Sequence, residues 1–145
     1  MTKGFTLIEL LLSVAIMGVI FGIGVPVYQS LQSSDDLDRA AASVAHAWRR
    51  AQGLARANQG DQLWGVHVAT GQLTLFQGAN YAGRIVAQDE ITDIPATITP
   101  SGFTDAVFSK MFGLPGVIGP TTTLTLTSSN GTRTLTLTPK GTVLY

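Results

Sequence analysis

The chain has 145 residues, 45% of them hydrophobic, and its nine basic and nine acidic side chains cancel at neutral pH. That length allows one apolar span and one small domain but not two domains of ordinary size, and the balanced charge leaves no global electrostatic footprint for nucleic acid or anionic lipid. Cysteine is absent, which excludes thiol chemistry, disulfides and a thiolate metal site, and fits either side of a membrane.

Residues 5–25 organise the chain. They are almost all apolar, with one acid, Glu9, near the front and one cation, Lys3, just outside. As a helix this stretch would be about 31 Å long, the thickness of a bilayer's hydrocarbon core. A secretory signal peptide has a shorter apolar region, no acid near its start and a small-residue cleavage site, none of which is present. A buried core helix is the other rival, because a carboxylate facing lipid costs a few kcal/mol unless it is paired. An acid kept in such a place needs a partner.

The run Lys3-Gly4-Phe5-Thr6-Leu7-Ile8-Glu9 resembles the processing site of type IV pilins and type II secretion pseudopilins. The resemblance implies a leader at residues 1–4, cleavage between Gly4 and Phe5 by a prepilin peptidase, and methylation of the new amino terminus at Phe5. It also implies that Glu9 serves subunit assembly by pairing with the amino terminus of a neighbouring subunit. The other implied partners are further pilin or pseudopilin subunits, an inner-membrane assembly platform, and membrane lipid before assembly. Two costly groups satisfied across subunits would register one helix against the next, which is a matter of specificity more than stability. The absence of cysteine departs from many major pilins, whose carboxyl-terminal loop is closed by a disulfide.

Lys3, with no acid beside it, places this end in the cytoplasm by the positive-inside rule. The remainder would be extracytoplasmic, on a single-pass protein of the cytoplasmic membrane that then enters a pilus or pseudopilus filament. Gly18, Gly22, Gly24 and Pro26 fall in the second half of the span. Each glycine lowers helix propensity by roughly 1 kcal/mol relative to alanine, and proline removes a backbone bond. Gly22, Gly24 and Pro26 therefore read either as a helix hinge or as small residues allowing close helix packing in lipid.

Residues 26–145 form the extracytoplasmic part, with a helix at about 30–58 and a sheet at about 63–145. Leu37, Ala41, Val44, Trp48, Ala51 and Ala55 recur at spacings of four and three, one apolar stripe along a helix. Asp35, Asp36 and Asp38 stand near its expected start and Arg49, Arg50 and Arg56 toward its end, a polarity that complements a helix dipole. Gly60 is its expected stop. Residues 63–68 and 73–76 read as strands joined across residues 69–72. Residues 78–119 are irregular, with strand candidates at 84–87, 96–99 and 106–108. Residues 123–127 and 134–138 alternate Leu and Thr strictly around a turn containing Asn130-Gly131, and residues 142–145 add a last strand. Four leucines at roughly 1.5–3 kcal/mol each make an apolar sheet face, for which the helix stripe is the natural partner.

The expected fold is therefore α+β: one long amino-terminal helix, membrane-spanning in its first half and amphipathic in its second, packed against a carboxyl-terminal antiparallel sheet. The pilin resemblance implies the same. Within that group the chain resembles the minor pseudopilins of the GspH and FimT type, through Ala51, Ala55, Arg56, Ala57 and Asn58, through Trp64-Gly65-Val66 with Leu75-Phe76, through Val107-Phe108 followed by Gly113-Leu114-Pro115-Gly116, and through Gly141-Thr142-Val143.

Nothing in the sequence assembles a catalytic constellation, a metal site or a cofactor site. His46 and His67 are the only histidines, without Cys or a second nearby His. Asp89, Glu90 and Asp93 cluster before Ile94-Pro95 and read as a solvated loop. Gly113, Gly116 and Gly119 lack the lysine and hydroxyl of a phosphate loop, since Pro120 follows. Asn130-Gly131-Thr132 matches a glycosylation sequon, but a hairpin turn with positive-φ Asn and Gly explains it. A structural subunit is thus one reading of function. The alternative is a FimT-like minor pilin that binds DNA for uptake, a role associated in that family with an arginine-rich carboxyl terminus. Here that terminus has a single cation, Lys140, and phosphate contacts supply most non-specific affinity, which argues against nucleic acid.

Overall fold

The computed structural model describes residues 4–116 and 122–144, with the side chains of residues 23–27, 29 and 30 outside the description. Its axis is one helix, α1, from Leu7 to Arg56, about 75 Å long at 1.5 Å per residue. Thr6 caps the start, its Oγ1 accepting the Glu9 N–H at 3.4 Å. At the far end the Ala57 N–H donates to the Gly53 carbonyl at 2.9 Å. Asn58 then turns left-handed at φ 51°. The chain therefore leaves the helix before Gly60, because Asn tolerates that conformation through its short polar side chain. The helix is assigned without interruption through Gly22, Gly24 and Pro26.

The continuity of α1 corrects one electrostatic expectation. Asp35, Asp36 and Asp38 lie in mid-helix, several turns from either end, and the dipole acts only over the first and last turns. Arg56 does stand in the last turn. Asp38 has a different role, accepting from Arg133 Nε at 2.6 Å, which ties the helix to the sheet side of the head.

Among the described residues, two four-stranded antiparallel sheets rather than one pack against the second half of α1. The first contains β1 (Trp64–Ala69), β2 (Gln72–Gln77), β3 (Glu90–Asp93) and β5 (Asp105–Phe108) in the order β3-β2-β1-β5. The second contains β4 (Thr99–Gly102), β6 (Thr122–Ser128), β7 (Gly131–Leu137) and β8 (Val143–Leu144) in the order β4-β6-β7-β8. Among the described strands the chain changes sheet after β3, after β4 and after β5, and β4 ends at Gly102, where φ is +84° and a Cβ would lie 2.6 Å from the Thr123 carbonyl. Only glycine turns the chain there.

The middle of the chain departs most from the sequence expectation. The strand expected at 84–87 is absent: Ile85 leads into a 3-10 turn, Val86–Gln88, because this segment folds back over the outer face of the first sheet. The strand expected at 96–99 begins only at Thr99 and runs through Pro100. Proline cannot donate to a ladder, and β4 tolerates it because it is an edge strand. Residues 90–93, read as a solvated acidic loop, form the edge strand β3. All four are exposed, so no apolar alternation marked them.

The remaining pattern holds. Leu37, Ala41, Val44, Trp48, Ala51 and Ala55 are all buried, and so are Leu124, Leu126, Leu135 and Leu137. Leu124 pairs with Leu135, and Leu126 with Arg133, so Arg133 continues the leucine face and meets Asp38 there. The β6–β7 turn lies one residue earlier than expected: Ser128 pairs with Gly131 across Ser129 and Asn130. Neither Asn130 nor Gly131 takes a positive φ. Gly131 is a strand residue instead, and a Cβ on it would stand 3.9 Å from Leu37 Cδ2.

Candidate functional site

The amino-terminal segment that the sequence singles out stands apart from the folded head. Gly4, Phe5 and Thr6 precede α1 and are exposed, and a Cβ added at Gly4 would meet nothing within 4 Å. Lys3 lies outside the described residues. From Leu7 to Phe21 every side chain is exposed on all sides of the helix. This half of α1 is a bare apolar stalk. Gly18 and Gly22 likewise have nothing within 4 Å of an added Cβ, so their smallness answers to no neighbour in this chain. Among the described residues no helix is long and apolar enough to cross a membrane. The run of described stalk side chains stops at Gly22, about 22 Å from Leu7 and short of a roughly 30 Å hydrocarbon core, and residues 23–27 fall outside it.

Glu9 has a local role that the sequence reading overlooked. Thr6-Leu7-Ile8-Glu9 has the spacing of a capping box, and the Glu9 N–H is held by Thr6 through both its Oγ1 (3.4 Å) and its carbonyl (3.1 Å). The T-x-x-E spacing ahead of an apolar run was the available signal. The carboxylate sits in the first turn, where the helix's positive end favours an anion. It is exposed, and among the described residues no side chain pairs with it. The same turn is closed on its other side by Ser13, whose Oγ donates to the Glu9 carbonyl at 2.7 Å.

The other residues considered as chemistry do not converge. His46 is exposed on α1, where it lines a groove with Arg49, Arg50 and Glu90. His67 lies in β1 with Nδ1 2.8 Å from Asp105 Oδ1. Its ring stacks on Tyr81 at 3.8 Å between centroids, and Arg84 covers Tyr81 at 3.9 Å. The three acids of 89–93 separate: Asp89, only 6% exposed in its side chain, holds Arg84 at 2.7 Å, Glu90 holds Arg50 at 2.7 Å, and Asp93 ends β3. Among the described residues no three or more of His, Cys, Asp and Glu gather as a metal site. Gly113 takes φ +59° against Arg56 and Gln52, a turn rather than an anion cradle. Gly119 lies outside the described residues.

Among the described residues, four of the eight cations beyond Lys3 are in ion pairs. Besides the pairs of Arg50, Arg84 and Arg133, Lys110 Nζ reaches Asp61 Oδ1 at 3.1 Å and the Asp61 carbonyl at 2.8 Å. The hydrogen bond from Lys110 and its charge hold the Asp61 carboxyl below its ordinary value. The same logic raises Arg133 beside Asp38 and Arg84 beside Asp89.

No curated protein and no solved structure matches this chain. A family model does match, over residues 1–25, and its description is the prokaryotic N-terminal methylation motif. The matched stretch holds Gly4, Phe5, the Thr6 cap and Glu9 on the exposed start of α1. This chain therefore carries, at its amino terminus, the signature of type IV pilins and pseudopilins.

Proposed function

We propose that the protein is a structural subunit, a minor pilin or pseudopilin of the GspH/FimT kind, built into a type IV pilus or a type II secretion pseudopilus. The observation that carries this reading is the methylation motif at the start of a helix whose side chains from Leu7 to Phe21 are all exposed while its second half is the spine of the head. Burying a large apolar side chain is worth roughly 1.5–3 kcal/mol, so leaving the stalk's dozen or so in water would cost on the order of 20 kcal/mol. Such a surface needs a cover. Lipid of the cytoplasmic membrane supplies it before assembly, and the stalks of other subunits supply it within the filament. In this reading residues 1–4 are the leader, 5–25 the span and filament core, and 26–145 the extracytoplasmic domain.

Glu9 fits the same account. A carboxylate among apolar side chains is costly unless it is paired, the described residues of its own chain offer it only the first turn of α1, and cleavage after Gly4 creates a cationic amine at Phe5 that can serve a neighbour. Because nothing crowds Gly4, the requirement for glycine there belongs to the peptidase. Gly22, Gly24 and Pro26 remain the place where α1 would bend if assembly requires it. The ion pairs that engage Arg50, Arg84, Lys110 and Arg133 support a structural role over DNA capture, which asks for cations free to meet phosphates.

Intact mass of the protein from a host with the matching prepilin peptidase tests the reading. The mature chain should begin at N-methyl-Phe5, and Gly4→Val should retain the leader. An amino terminus at Met1, or cleavage near Pro26, would overturn it.

A further inference from the structure

The two sheets end in four edge strands, β3, β5, β4 and β8, and these are not equally closed. The β5 edge is bridged by Pro115 against Phe108, with the Gly116 N–H donating to the Val107 carbonyl at 2.7 Å. β4 carries Pro100, and β8 is only two residues long. The outer side of β3 is open. The Ile94 N–H donates to the Gly71 carbonyl at 3.1 Å, and backbone groups alternate in direction along an antiparallel ladder. Glu90 and Thr92 therefore bond to their partners Leu75 and Leu73 in β2, while the N–H and C=O groups of Ile91 and Asp93 point away from the sheet. Among the described residues those four groups have no backbone partner.

Beside this edge lies a groove of about 590 Å³ between β3 and α1. Buried Leu73 and Leu75 form its floor, and Glu90 and Thr92, opposite them in the register, share their face. The helix wall carries His46, Arg49 and Arg50, all exposed and three or four residues apart on one side of α1. Arg50 reaches back to Glu90 at 2.7 Å, which neutralises the inward acid of the edge. Arg49 has no ion-pair partner among the described residues. A short, charged edge strand ordinarily keeps other strands away. Here the inward charge is already matched, and a strand added about 4.8 Å further out would extend the sheet along the groove that holds the unmatched cation.

We propose that β3 accepts an extended segment of a different protein as a fifth strand of the first sheet, with an acidic side chain turned inward to Arg49 and an apolar one turned outward beside Ile91. The four free backbone groups supply the pairing, and the period of two along a strand separates the two kinds of side chain. Ile91 is 62% exposed on the outer face and gives the apolar neighbour a cross-strand contact. A second copy of this chain meets those demands badly. In the register that pairs the free groups of two β3 strands most fully, Asp93 of each stands opposite Ile91 of the other, and Thr92 rather than an acid faces the groove. The contact uses neither the stalk nor the amino terminus, so it stands or falls separately from the filament reading.

The probes are short capped peptides: one alternating Glu and Val, one alternating Lys and Val, and one with the Glu and Val residues of the first gathered into two blocks. Each is added to the full chain, isotope-labelled in detergent, and amide exchange is followed by NMR. At about ten times its Kd the alternating Glu peptide should slow exchange at Ile91 and Asp93 about tenfold, since about a tenth of the chain stays free. The Glu90 and Thr92 amides, already bonded to β2, should change little. The Lys and block peptides should bind at least about tenfold more weakly. Arg49→Glu should weaken the Glu peptide and strengthen the Lys peptide, each about tenfold. Ile91→Pro removes one outward N–H, leaves the β2 ladder whole, and should also lower affinity about tenfold. Equal binding of the three peptides, or no slowing at Ile91 and Asp93 with millimolar Glu peptide, would overturn the proposal. Protection of these amides that grows with protein concentration, without peptide, would overturn it in favour of a second copy.

Discussion

A single methyl group at Gly65 tests the packing of the head. Gly65 of β1 pairs with Phe76 of β2, and a Cβ built on it would lie 2.4 Å from Phe76 Cζ and 2.9 Å from Cε1 and Cε2, where ordinary contact is 3.4–4 Å. The ring cannot withdraw. Phe76 is fully buried, Tyr81 meets it edge-on at 5.6 Å, and Tyr81 is itself held between His67 and Arg84. An extra methylene in a packed core costs roughly 1–3 kcal/mol. An overlap of this size against an immobile ring belongs at the upper end, about 2–3 kcal/mol, or a fall in Tm of about 10 °C for a head of this size. Urea and thermal unfolding of the full chain in detergent, followed by the fluorescence of Trp48 and Trp64, would measure it. Phe76→Leu should cost about 1–2 kcal/mol by itself while removing the clash, so the double variant should be more stable than the sum of the two losses by at least about 1 kcal/mol. A Gly65→Ala chain within about 0.5 kcal/mol of wild type, or strict additivity in the double variant, would refute the reasoning.

Three further outcomes are expected. Glu9→Ala should leave cleavage and membrane insertion intact but impair incorporation into filaments, and immunoblotting of sheared filaments against whole membranes would show whether it does. Asp61 is held below its ordinary value by Lys110, so its contribution to the loop at 109–113 is complete above the unfolded carboxylate value near 4 and is lost as pH falls through the lower folded one. Hydrogen exchange of the Met111 amide between pH 3 and 5 should therefore show protection falling toward acid, beyond the intrinsic pH trend, and Asp61→Asn should abolish the effect. The full chain should bind a short DNA duplex no more tightly than about 10⁻⁴ M near physiological salt, and a micromolar, salt-sensitive anisotropy signal lost on replacing Arg133 and Lys140 would favour DNA capture instead.

Physical periodicity explains which parts of this protein were legible in its sequence. The apolar run of 5–25 is long and nearly unbroken, and the stripe from Leu37 to Ala55 and the Leu-Thr alternation of β6 and β7 each extend over several repeats of one period. Such signals survive any local exception, and each corresponds to a helix or strand in place. The motif around Gly4, Phe5 and Glu9 is local in sequence, so it was legible without a fold. Its counterpart, the Thr6 cap on Glu9, is equally local, a T-x-x-E spacing ahead of an apolar run.

What the tertiary structure alone decided was the partner of each isolated group. β3 is a strand because β2 offers it an edge, not because Glu90-Ile91-Thr92-Asp93 alternates. β4 admits Pro100 because no strand lies beyond it. Asp38 meets Arg133, Arg50 meets Glu90 and His67 meets Asp105 across 95, 40 and 38 residues of sequence, separations that no local pattern spans. The division into two sheets is equally nonlocal, since β4 falls between β3 and β5 in sequence yet pairs with β6 in the other ladder. A charge or an edge acquires its role from what folding brings beside it, whereas an apolar period carries its role within the chain.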